Sequence, residues 1–72
     1  MVNDERAKLR TMLNYWIEHN KEHNQEFREW ANKATALGEA YAGEQILAAA
    51  REIDRVNELL YRALNRLGKK EL

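Results

Sequence analysis

Seventy-two residues with no cysteine, no proline and twelve basic side chains balancing twelve acidic ones set the first limits. One domain is the ceiling, no disulfide or thiolate site can staple it, and zero net charge removes the sequence-independent attraction on which nucleic-acid binding draws. The longest apolar run, Ile46 to Ala50, is far short of the ~20 residues of a membrane span, and MVNDERAKLR has no apolar stretch of a signal peptide. The expectation is a cytoplasmic protein with neither a nucleic-acid nor a membrane partner, and the terminal KKEL is read as a chain end, not a retention address.

In chain order, Leu9, Met12, Leu13, Trp16, Phe27, Trp30, Ala31, Ala34 and Leu37 recur at steps of three and four, which predicts one amphipathic helix over about residues 4–37. Asn3 or Asp4 can cap its start by accepting from free N–H groups. Gly38, in LGEAYAGE, suits the left-handed residue that closes such a helix, so the turn is placed at about 38–40. Ala42, Ile46, Ala49, Ile53, Val56, Leu60, Ala63, Leu64 and Leu67 then repeat the helical spacing over about 41–67. Gly43 marks either a delayed start to this helix or a close helix crossing, and Gly68 with Lys69 and Lys70 suits its end.

A connection this short folds the second helix back antiparallel, giving an all-α two-helix hairpin as a single domain, 1–72. One seam, many of whose residues are alanine, buries too little apolar surface to offset the ordering of two long helices. A second hairpin is therefore expected to cover the open face, making a homodimeric four-helix bundle with Leu13, Trp16, Phe27, Trp30, Ile53 and Leu60 as its core. Trp16 and Trp30 stand two heptads apart on that face, and could instead anchor an unknown protein partner. The dispersed arginines and lysines alternate with acids, as on a solvated surface.

Residues 18–26, EHNKEHNQE, interrupt the first stripe with a repeated polar tetrad. At 100° per residue, taking Leu9 as zero, Asn20 falls near +20° and His23 near −40°, inside the apolar arc, with Asn24 and His19 on its flanks. Antiparallel pairing with partner numbers summing to about 79 brings His23 opposite Val56 and Asn57. Asn20, His23 and Asn57 thus form a candidate buried polar layer that would fix register and oligomer order. A second reading starts from His19, His23 and Glu26, which share one edge of the helix. Two imidazoles at i and i+4 with a carboxylate three residues on suit zinc, nickel or iron(II), and a nearby two-fold axis could join two such sets. HNKEH also spells the inverted zinc-peptidase pattern H-x-x-E-H, which lacks the third ligand and the cleft a peptidase requires.

The stretch YWIEHNKEHNQEFREWANKA, followed by Gly38, Ala49-Ala50 and Asn57, resembles an uncharacterised family of small helical microbial proteins. Its members run W-I-x-H-N-x-x-H, then F or Y, then W-A-x-K-A. The resemblance rests on Trp16, Ile17, His19, Asn20, His23, Phe27, Trp30, Ala31, Lys33 and Ala34. It implies a helical hairpin with a link to metal handling and no established activity. Relatives often carry a histidine-rich tail and a further histidine where this chain has Tyr15; this chain has neither. The expected function is a non-enzymatic structural or protein-interaction module, self-associating through its apolar faces and binding no cofactor. The alternative is a divalent-metal-binding accessory protein (zinc, nickel or iron) that uses the helix 1 histidines.

Overall fold

The computed structural model of the chain describes the backbone of residues 2–71 and the side chains of residues 4–68. Two helices, α1 (Val2–Ala36) and α2 (Ala40–Glu71), pack antiparallel into a rod whose Cα atoms extend 55 × 15 × 13 Å. There is no strand among the described residues, and no described helix is long and apolar enough to cross a membrane.

Local chemistry accounts for the element ends. Gly38 has φ +90°, and around it the Glu39 N–H donates to the Ala34 carbonyl at 2.8 Å while the Gly38 N–H donates to Thr35 at 3.0 Å. Those two bonds are the Schellman closure of a helix C-terminus, and the left-handed residue between them has no Cβ to clash. At the other end α1 starts at Val2, so Asp4 lies inside the first turn, where its charge complements the helix dipole, and does not cap it; the Asn3 side chain lies outside the described residues. Gly68 does not end α2. It keeps a right-handed conformation and the helix continues to Glu71.

The seam follows a strict alternation of three and four. Leu13, Ile17, Asn20, Asn24, Phe27, Ala31 and Ala34 face Gly43, Ile46, Ala50, Ile53, Asn57, Leu60 and Leu64, all of them buried or half-buried. This heptad spacing keeps two helices in contact along their whole length. The most deeply buried positions hold small or polar side chains beside two aliphatic ones: Leu13, Ile17, Asn24 and Ala31 on α1, and Gly43, Ala50 and Asn57 on α2. A Cβ added at Gly43 would stand 2.5 Å from Thr35 Oγ1 and 2.9 Å from the Ala31 carbonyl oxygen, so Gly43 is a close crossing inside α2 and not a delayed start.

The seam is turned by about 50° from the arc centred on Leu9 and Phe27, because its buried α1 positions fall between about +40° and +80° on the same wheel. Ile17, absent from the expected stripe, is 2% exposed, whereas Trp16 and Trp30 are 41% and 57% exposed. Size explains the choice of edge. Close approach needs Ala31, Gly43 and Ala50 between the axes, and indole rings there would hold the helices apart.

Candidate functional site

Two polar layers pin the seam. Asn20 Nδ2 donates to Asn57 Oδ1 at 3.0 Å, and Asn57 Nδ2 donates to the Ile17 carbonyl at 3.1 Å. One turn further along, Asn24 Nδ2 donates to the Ala50 carbonyl at 2.9 Å and to Asp54 Oδ1 at 2.6 Å. Asn24 Oδ1 accepts from Arg28 Nε at 2.7 Å, and the Arg28 guanidinium closes the ring on Asp54 Oδ2 at 2.8 Å. Among the described residues, no buried side-chain nitrogen or oxygen lacks a hydrogen-bond partner. A slip of either helix by one turn would unpair both layers, so they fix the register that apolar contacts alone leave soft. In this layer Asn57 is buried and Asn20 half-buried, and Asn57 meets Asn20 where the sequence sets it opposite His23. Their partner numbers sum to 77, close to the expected 79.

His23 does not belong to this layer. Its side chain is 46% exposed, and Asn24, expected on the flank, takes the buried place at 8% exposure. The heptad rule gives the reason: Asn24 shares a column with Ile17 and Ala31, whereas His23 shares one with Leu9, Trp16, Trp30 and Leu37, and every member of that column is exposed. Leu13 is likewise part of the hairpin's own seam. Of the other expected dimer-core residues, Trp16 and Trp30 face out, and Phe27, Ile53 and Leu60 are half-buried at the seam's edge.

Beyond that edge lies an apolar face, interrupted at mid-length by His23. Leu9, Met12, Trp16 and Trp30 from α1 lie beside Val56 and the half-buried Ile46, Ala49 and Ile53 from α2. A groove between Phe27 and Trp30 on one wall and Ile46 and Ala49 on the other runs along it, and the Lys33 ammonium sits 4.3 Å from the Trp30 ring centroid. The opposite edge is polar. There Lys21 contacts Glu18 at 3.4 Å and approaches the Tyr61 ring at 5.7 Å, and hydrogen bonding to Tyr61 first, then to Glu18, raises its pKa.

The two histidines line the border of the apolar face in a ladder of rings at i, i+4 spacing. Tyr15 stacks on His19 at 5.4 Å, His19 meets His23 edge-on at 4.5 Å, and His23 tilts against Phe27 at 6.3 Å between centroids. Within the ladder the Nε2 atoms of His19 and His23 are 3.0 Å apart. Glu26, grouped with them as a ligand from spacing, instead sits 3.5 Å from Nδ1, the other ring nitrogen of His23. Among the described residues no three His, Cys, Asp or Glu side chains converge as a metal-ligand set.

Fold and face together define a small α-helical hairpin with a polar-pinned seam and one exposed apolar side. The chain belongs to the family "Domain of unknown function (DUF8180)", whose model matches residues 9–67. That range takes in both helices of the seam, and a family without assigned function is what the resemblance in YWIEHNKEHNQEFREWANKA implied. The chain is also similar to an uncharacterized protein of Archaeoglobus fulgidus, 34% identical over 61 residues that cover 85% of this chain and 97% of the relative. No solved structure matches.

Proposed function

We propose that the protein is a structural, non-enzymatic module that self-associates, two hairpins covering one another's apolar faces in an antiparallel four-helix bundle. The single observation that carries this reading is the exposed column Leu9, Trp16, His23, Trp30 and Leu37, apolar but for His23 and left outside a seam already complete without it. Surface area supports it. The chain exposes 5829 Å². A compact monomer of 8.5 kDa exposes roughly 4,700 Å². The excess, about 1,100 Å² per copy, is more than the ~800 Å² each partner contributes to a standard-size stable interface. It arises because a two-helix layer has nothing behind it, and a second copy offers the same long, apolar, self-complementary face.

Trp30→Glu tests the reading, since Trp30 takes no part in the seam's hydrogen bonds and a charge there leaves the hairpin's own packing intact. Sedimentation velocity should show the unmodified chain as a dimer and the variant as a monomer with a lower melting temperature, because one seam alone buries little apolar surface. A dimer that tolerates Trp30→Glu would overturn the placement of the interface.

A further inference from the structure

We propose a divalent-metal site at the centre of the dimer, in which the His19 and His23 pair of one chain and the same pair of a second chain supply four imidazole nitrogens. This rests on the self-association reading and deepens it, by naming what the polar interruption of the apolar face would hold. Geometry within one chain gives half of the site. Two nitrogens bound to one zinc at ~2.0–2.1 Å, in tetrahedral or right-angled positions, stand roughly 2.9–3.4 Å apart. The two Nε2 atoms are 3.0 Å apart on adjacent turns of a rigid helix, already at that spacing.

Position along the rod gives the other half. His19 is the middle residue of α1 (Val2–Ala36). A two-fold axis that crosses α1 at Lys21, two residues or about 3 Å from mid-length, overlaps the two rods almost fully, sets α1 against its copy and leaves the turns at opposite ends. It then brings each histidine pair to its own symmetry mate. His23 also occupies the outward column between Trp16 and Trp30, so covering the face removes its water and leaves an imidazole needing a partner. Metal binding requires both Nε2 lone pairs. Each ligating ring then carries its hydrogen on Nδ1, which on His23 lies beside the Glu26 carboxylate. Glu26 is then the carboxylate behind a ligating histidine, holding the tautomer and the ring, not a ligand itself. Neutral imidazoles without thiolates suit zinc, nickel or cobalt(II).

The experiment uses the full chain without an affinity tag. Titration calorimetry and native mass spectrometry with Zn²⁺, Ni²⁺ and Co²⁺ should give one ion per two chains, and the Co²⁺ form should absorb in the visible as a four-coordinate nitrogen site. His19→Ala and His23→Ala should each remove binding while keeping the helical signal, since both side chains are exposed in a single hairpin; Glu26→Gln should weaken it by about tenfold. Spin labels at Glu39→Cys should report a separation between copies comparable with the 55 Å length of the rod. Absence of binding at micromolar metal, one ion per chain, retention in His23→Ala, or turns at the same end would each overturn the site. A dimer in chelator that takes up no metal would refute this inference alone, whereas a monomer in chelator and in metal would refute both readings.

Discussion

Alanine at Gly43 and alanine at Gly68 are the same substitution in the same helix, and the structure assigns them opposite signs. Replacing a helical glycine by alanine is favourable by up to about 1 kcal/mol, through the smaller backbone entropy lost on folding. At Gly68 nothing lies within 4 Å of the added Cβ, so that gain should be realised, at about 0.5–1 kcal/mol. At Gly43 the new atom meets Thr35 Oγ1 at 2.5 Å and the Ala31 carbonyl oxygen at 2.9 Å. The hydroxyl, which donates to that same carbonyl at 3.1 Å, can rotate away; the carbonyl belongs to the backbone of α1 and moves only if the helices separate. Overpacking of this kind costs about 1–3 kcal/mol, which after the helix gain leaves a net loss of about 1 kcal/mol. Urea unfolding followed at 222 nm, at one fixed protein concentration, should therefore separate the two variants by about 2 kcal/mol. Equal stabilisation by both would refute the close crossing, and with it the reason the seam excludes the tryptophans.

Gly38→Ala should lower stability by about 1 kcal/mol although the site is open, because the strain lies in φ +90° and not in contacts; thermal melts check this. Asn24→Ala removes the acceptor of Arg28 Nε and the donor to Asp54 and Ala50, and should cost about 2–3 kcal/mol by urea denaturation; a change below half a kcal/mol would contradict the layer's role. Tryptophan emission should shift to longer wavelength on dilution, as Trp16 and Trp30 pass from a covered to an open face; emission unchanged across the whole dilution range would count against a covered face.

What the sequence made legible follows from physics that is local. Gly38 ends α1 because only a residue without Cβ sits comfortably at its φ, and the apolar spacing on either side of it leaves no competing element. A short turn fixes which levels of two antiparallel helices meet, so Asn57 is legible as lying level with the EHNKEH stretch, but its partner there is Asn20 and not the His23 that the pairing sets opposite it. The orientation of the helices about their own axes was not legible from the stripe. It is wider than a seam and apolar at both edges, so counting apolar residues cannot say which edge packs; the alternation of three and four through Ile17, Asn24 and Ala31, with Gly43 and Ala50 opposite, carries that information through side-chain size. For this reason a wheel centred on Leu9 puts His23 inside the arc and Asn24 on its flank, the reverse of their burial. Glu26 illustrates a further limit: its spacing from His23 is right for contact, but which ring nitrogen it meets depends on rotamers that spacing does not encode.

Sedimentation equilibrium of the untagged chain in chelator, from about one to one hundred micromolar, tests self-association without reference to metal. Chains of 8.5 kDa covering one another's apolar faces should give about 17 kDa at the upper end, falling toward the monomer on dilution, with a melting temperature that rises with concentration. A constant 8.5 kDa across the range, with a melting temperature independent of concentration, would contradict the account.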